Sequence, residues 1–257
     1  MFGAELALES DIKLREKLFY KFFGIDIMGR RVRARHVIKA MGSIKKRFHI
    51  LDAGSGQGEY AFYFSRKFPQ SQITAVEIDE TKILSCERIL AKLNRDNLVF
   101  IRGDLTTIDF SERFNVVLCI DVLEHIDADK RALENLHRAL KRGGVLLLHV
   151  PRNHRFYKLR FGKLDERATR GHVRDEYTED EIERKLRETG FVIWRKHYTF
   201  GLFGALAWEL WYVIDRQPFW RPILKLTSPF LLMLGYLDGL TSNREYHQGY
   251  LFMAVKP

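Results

Sequence analysis

Between residues 48 and 68 an apolar, strand-forming run passes through three closely spaced glycines into a helical pattern, and this segment constrains the fold more than any other. Phe48, Ile50 and Leu51 supply the strand. Gly54, Gly56 and Gly58 give a turn with no Cβ to keep a ligand from the backbone. The helix that opens at Glu59 points its free amide N–H groups into that turn. Such a strand–turn–helix binds a small polar ligand, and the spacing narrows which one. Gly54 and Gly56 fit the first two positions of the dinucleotide pattern G-x-G-x-x-G, but Glu59 stands where its third glycine belongs. The phosphate-binding P-loop fails too, because no Gly-Lys-Ser/Thr follows.

The same alternation continues downstream. Residues 72–77 read as a second strand, followed by a helix from Thr81, as N-cap, to Leu93. Asn97 to Ile101 and Phe114 to Ile120 are the third and fourth strands. Asp127 to Leu140 is helical and stops at Gly143-Gly144. Val145 to Val150 is then apolar throughout, the pattern of a strand covered on both faces. Thr178 opens a helix with a capping-box pattern, and Phe191 to Tyr198 forms a sixth strand. This is an α/β chain with a parallel sheet, whose ligands sit at the carboxyl ends of the strands. An acid stands at each of those ends: Asp52, Glu77, Asp104 and Asp121.

The motifs Leu-Asp-Ala-Gly-Ser-Gly-Gln-Gly (51–58), Val-Glu-Ile-Asp (76–79), Arg-Gly-Asp-Leu (102–105), Asp-Val-Leu-Glu-His-Ile (121–126) and Leu-Lys-Arg-Gly-Gly-Val-Leu (140–146) resemble those of class I S-adenosylmethionine-dependent methyltransferases. The fourth-strand piece is similar to the branch that includes quinone, sterol and other small-molecule or lipid methyltransferases. The resemblance implies a Rossmann-like, seven-stranded, mostly parallel sheet with helices on both faces and an antiparallel last strand, best matched by Gly249 to Val255. It implies S-adenosyl-L-methionine as cofactor, held by Asp52, Gly54, Ser55, Gly56, Glu77, Ile78, Asp104, Leu105, Ile120 and Asp121. Glu77 would take the ribose hydroxyls, Asp104 and Leu105 the adenine, and Asp52 and Asp121 the cationic groups. His172 and Tyr177, by the same resemblance, belong to the substrate mouth.

Methyl transfer is an in-line displacement at carbon, so placement of the nucleophile does most of the work. Where the acceptor must lose a proton, His125 and His149 are the candidate bases. The plainer readings are a helix-start residue for His125 and a packed strand residue for His149. No cluster of His, Cys and Asp has metal-ligand spacing, so no metal is expected.

Outside the core the reading divides. Residues 1–47 form an N-terminal helical cap, 48–197 and 248–257 the core, and 198–247 an apolar helical insertion. Arg30, Arg31, Arg33 and Arg35 lie either on a solvated face or on a basic lid toward an anionic partner. All four tryptophans fall between 194 and 220, and Trp208 and Trp211 are candidate substrate contacts. The insertion's apolar runs fall short of the ~20 residues that span a bilayer, and Pro218, Pro222 and Pro229 are expected to break its helices. It reads as a helical cap over an apolar pocket, as an amphipathic surface in a membrane interface, or as an ordinary subdomain or dimer contact. The net charge of +10 favours anionic partners. Cys86 and Cys119 are expected as buried thiols in a reducing compartment, and acidic residues interrupt any signal-peptide run at the N-terminus. The expectation is a cytoplasmic enzyme, peripheral at the inner face of a membrane, acting on a small or lipid acceptor. The alternatives are an RNA methyltransferase, for which no RNA-binding module is visible, and a non-catalytic S-adenosylmethionine-binding protein.

Overall fold

The computed structural model describes residues 1–9, 12–24, 27–44, 48–152, 173, 177–215, 219, 221–240 and 247–257, with the backbone alone at 221–226 and 239–240. Seven strands form one sheet: β1 His49–Ala53, β2 Gln72–Glu77, β3 Leu98–Arg102, β4 Phe114–Ile120, β5 Leu140–Pro151, β6 Val192–Thr199 and β7 Gly249–Val255. Their order across the sheet is β3-β2-β1-β4-β5-β7-β6. β1 pairs in parallel with both β2 and β4, so the chain's winding reverses between β1 and β4, where α/β sheets open a ligand crevice. β7 runs antiparallel between β5 and β6.

The strands sit here because their side chains are apolar on both faces. Ile50 and Leu51 are both fully buried, on opposite faces. On one face α2 (Met28–Gly42), α3 (Glu59–Lys67) and α4 (Glu80–Leu93) cover Ile50, Val116, Leu147 and Leu251 with Val37, Met41, Phe62, Phe64 and Ile89. On the other, α5 (Asp129–Ala139) and α6 (Glu179–Glu188) cover Leu51, Val117, Leu146 and Phe252 with Leu133, Leu136, Ile182 and Leu186. Both cysteines are buried, and burial pushes the Cys86 thiol up to about 12.

Outside the core, α1 (Leu14–Phe23) precedes α2, and α7 (Leu202–Asp215) and α8 (Arg221–Tyr236) lie between β6 and β7. Met28 and Val32 of α2 pack with Phe200, Ala207 and Leu231, so the N-terminal segment and the insertion share a small core of their own.

Three local expectations are corrected. Helix α4 starts at Glu80, and its cap is Asp79, whose carboxylate accepts the Thr81 amide at 2.9 Å; Thr81 is capped instead of capping. Helix α5 ends at Ala139, and β5 begins immediately at Leu140, which pairs with Phe114. The glycines at 143 and 144 therefore interrupt a strand as an irregularity, with Gly143 at φ +72°, and do not end a helix. Helix α8 runs unbroken through Pro229. Pro229 is exposed, while its neighbours Ser228 and Leu231 are buried, so packing of the inner face outweighs the lost backbone donor.

Candidate functional site

The site is built at the carboxyl ends of β1, β2 and β4. Gly54 and Ser55 both donate their amides to the Val76 carbonyl, at 2.8 and 2.9 Å, which ties the turn to β2. Gly54 has φ +77°, and a Cβ there would come within 2.5 Å of Val122. Gly56 has φ +58°, but a Cβ there would meet nothing within 4 Å. One glycine is therefore required by packing, while the other leaves open space against bare backbone.

The four acids at the strand ends stand in different environments. Asp52 is buried and accepts the Ala61 amide, while its Oδ2 has no hydrogen-bond partner. Burial first, then the nearby Glu59, pushes the Asp52 carboxyl up to about 7. Glu77 accepts the Gly56 amide at 2.8 Å and the Asp79 amide at 3.1 Å, and Lys82 lies 3.6 Å away. Asp104 accepts the Thr106 amide and hydroxyl, each at 2.8 Å, and so holds the turn after β3. Asp121, at φ +53°, is ion-paired with Arg33 and contacts His149 Nδ1.

The neighbours implied by the resemblance differ in how they are placed. Ser55 is buried, with its hydroxyl oxygen unpartnered. Ile78 is exposed and Ile120 partly buried. Leu105 is buried in the core, with its carbonyl accepting from Asn135 Nδ2 at 2.9 Å. A buried carboxylate oxygen and a hydroxyl left over, beside open space at Gly56, suit a cationic, hydroxyl-bearing ligand. Among the described residues no group of three or more His, Cys, Asp and Glu is arranged to hold a metal ion.

The candidate bases separate. His125 is exposed at the end of a short helical turn, Leu123–His125, beyond β4. His149 is buried, and its Nε2 lies 2.8 Å from Thr199 Oγ1 while Nδ1 is committed to Asp121. Both ring nitrogens are thus engaged within the protein, the arrangement of a packed strand residue that holds Asp121. Tyr177 is fully buried in the core, and its hydroxyl donates to Asp129 at 2.7 Å. His172 lies outside the described residues. Trp208 packs on Gly29 of α2, and Trp211 is partly buried with its indole N–H unpartnered.

Two residues that sequence reasoning left as surface or lid contact the glycine turn's helix and the fourth-strand acid. Arg30 donates to Gln57 at 3.1 Å and to Glu59 at 2.5 Å, and Arg33 pairs with Asp121. Burial opposes the charge on Arg33, yet Asp121, Tyr60 and Glu124 hold its pKa above the usual arginine value. The i, i+3 spacing of Arg30 and Arg33, which puts both on one face of α2, was the available signal.

Comparison with known proteins matches this geometry. Residues 44–198 match the methyltransferase domain family. Demethylmenaquinone methyltransferase of Chlamydia felis is 29% identical over 99 residues, 38% of this chain and 42% of that protein. (S)-coclaurine N-methyltransferase of Thalictrum flavum is 25% identical over 124 residues, 48% of this chain and 34% of that protein. The chain thus spans less than half the length of either. The structure of Haemonchus contortus phosphoethanolamine N-methyltransferase 2 with S-adenosyl-L-methionine superimposes with a TM-score of 0.63 at 18% identity, covering 96% of this chain and 61% of that one, a likeness of fold. With its seven-stranded sheet, its glycine turn and well over half its length matched, the chain belongs to the methyltransferase domain family.

Proposed function

We propose that the protein is an S-adenosyl-L-methionine-dependent methyltransferase acting on a small, lipophilic acceptor taken from a membrane interface. The observation that carries the reaction is the set of four acids around a glycine turn in a methyltransferase-domain chain. When bound, the cofactor supplies a methyl group made electrophilic by its sulfonium. Asp52 and Asp121 provide negative charge for the cationic end, and Glu77 accepts from the ribose hydroxyls while it holds the Gly56 amide. Ile78, exposed beside Glu77, would offer an apolar face to the adenine, and Asp104 would accept from the adenine amino group. His125 takes a proton where the acceptor must lose one. His149 positions Asp121, while Trp208 and Trp211 form part of an apolar wall on the acceptor side.

The lipophilic and interfacial part rests on two exposed apolar helix faces. On α1, Leu14, Leu18 and Phe22 recur every four residues and are 73%, 50% and 63% exposed, with Arg15, Lys17 and Lys21 between them and Lys13 just before. On α8, Phe230 and Met233 are 68% and 63% exposed. Apolar stripes flanked by cations suit the headgroup region of an anionic bilayer. Among the described residues no helix is long and apolar enough to cross a membrane.

Calorimetric titration with S-adenosyl-L-methionine and with NAD tests the cofactor, and a mass-resolved screen of lipid and quinone extracts for the gain of one methyl group tests the reaction. Binding of the methyl donor and one methylated product are expected. Binding of NAD alone would overturn the reading. Failure to co-float with anionic liposomes at low salt would remove its membrane part.

A further inference from the structure

A second concave site lies away from the glycine turn, between α2 and the β6–β7 edge of the sheet. It encloses about 510 Å³, with Leu251 of β7 and Ala40 of α2 among its walls. Arg35, His36 and Lys39 line it from the helix, and Arg195 and His197 from β6. Among the described lining residues the one acid is Asp238, which accepts the Gly204 amide at 2.6 Å.

Among the described residues the basic groups carry little acidic compensation, with Asp238 acting on Arg35 at longer range. Among the described residues none of Arg35, Lys39 and Arg195 has a carboxylate within ion-pair distance. Arg35 donates to the Gly235 carbonyl at 3.2 Å and lies 4.1 Å over the Tyr236 ring, which fixes its guanidinium. The Arg195 guanidinium stacks on Trp194 at 4.5 Å. Lys196, also on β6, is by contrast neutralised by Glu179 and Glu183 of α6.

The histidines register the same field. Burial, then the neighbouring His149, Arg35, His197 and Lys39, pushes the His36 ring down to about 4. Burial, Lys39 and Arg195 lower His197 as well. The buried Nε2 of His36 has no hydrogen-bond partner.

We propose that this cleft binds a phosphate ester, with Arg35, Lys39 and Arg195 meeting the phosphate oxygens and His36 adding a hydrogen bond. Two arginines prearranged by stacking and hydrogen bonding match the fork geometry that phosphate oxygens take, and Lys39 adds a point charge. A cleft of this volume holds a phosphate with its attached headgroup, which a bare surface patch does not. The site does not depend on the proposed methyl transfer, and its binding can be measured without methyl donor. The phosphate has two sources, a soluble monoester or a phospholipid headgroup.

The test compares the wild-type chain with K39Q/R195Q, both exposed side chains, and with R184Q/R187Q, which removes the same charge from α6 on the other sheet face. Each is titrated calorimetrically with inorganic phosphate and glycerol 3-phosphate, and floated with vesicles of phosphatidylcholine with and without phosphatidic acid. Saturable phosphate binding is expected, weakened about tenfold or more in K39Q/R195Q and unchanged in R184Q/R187Q. Glycerol 3-phosphate binding, with vesicle flotation unchanged in K39Q/R195Q, assigns the soluble source. Phosphatidic acid-dependent flotation lost in K39Q/R195Q assigns the lipid one. Absence of saturable binding, or equal weakening in the two double variants, would overturn the proposal. So would transfer RNA binding that outcompetes glycerol 3-phosphate and is lost in K39Q/R195Q, since the surface would then serve nucleic acid.

Discussion

The most informative perturbation is Asp52→Asn. Asp52 is buried and titrates near 7, against 3.8 for the free side chain. At 1.36 kcal/mol per unit, holding it ionised costs the folded state about 4 kcal/mol. Because the folded pKa is raised, the folded chain binds this proton more tightly than the unfolded chain. Its favourable contribution is complete below the unfolded pKa of 3.8 and is lost as pH rises through about 7. Asparagine keeps the shape and can still accept the Ala61 amide, but it does not ionise. Its buried N–H₂ group adds a constant cost of about 1 kcal/mol, independent of pH. The stability difference between variant and wild type should therefore move in favour of the variant by about 2–3 kcal/mol between pH 5 and pH 8. Urea unfolding at four pH values measures it. A difference that stays constant across that range would refute the reasoning. The same variant should lose affinity for the cationic cofactor. Calorimetry at pH 6 in two buffers of different ionisation heat should show proton release on binding to wild type and none to the variant.

Further outcomes follow from single contacts. Arg33→Met removes the partner of Asp121 at a half-buried site and should cost about 2–3 kcal/mol in urea unfolding, with weaker cofactor binding. Gly54→Ala drives a methyl group into Val122 at a positive φ and should destabilise the fold by about 3 kcal/mol or more. Gly56→Ala meets open space, so it should cost only about 1–2 kcal/mol of stability while cofactor affinity falls about tenfold or more in calorimetry. Leu18→Glu with Phe22→Glu on α1 should leave the unfolding midpoint within about 0.5 kcal/mol of wild type and abolish co-flotation with anionic liposomes.

The sheet was legible because its strands are apolar on both faces and end in acids; the bounds of β7, Gly249–Val255, match the candidate that the family resemblance singled out. The glycine turn was legible because its spacing is local. Boundaries failed where two local signals coincide. Asp79 and Thr81 are both capping residues two positions apart, and the helical pattern of α5 continues into Leu140, so periodicity does not show where the helix yields to strand. Pro229 misled because its cost is local while the packing that outweighs it is tertiary. The site lost most where contacts are long-range. Arg33 reaches across 88 positions to Asp121, and Tyr177 across 48 to Asp129. No spacing rule relates such pairs. His149 illustrates the point: its chemistry suggests a base, and only Thr199 and Asp121 together show that both nitrogens are taken.

Helix α2 is a wall common to three rooms. Arg30 and Arg33 hold it to the glycine turn and to Asp121. Met28 and Val32 hold it to the tryptophan-bearing insertion. Arg35, His36 and Lys39, one turn further on, face the basic cleft. A helix turn advances only about 5.4 Å, so the glycine turn, the apolar helices and the basic cleft all take their walls from a single helix of fifteen residues.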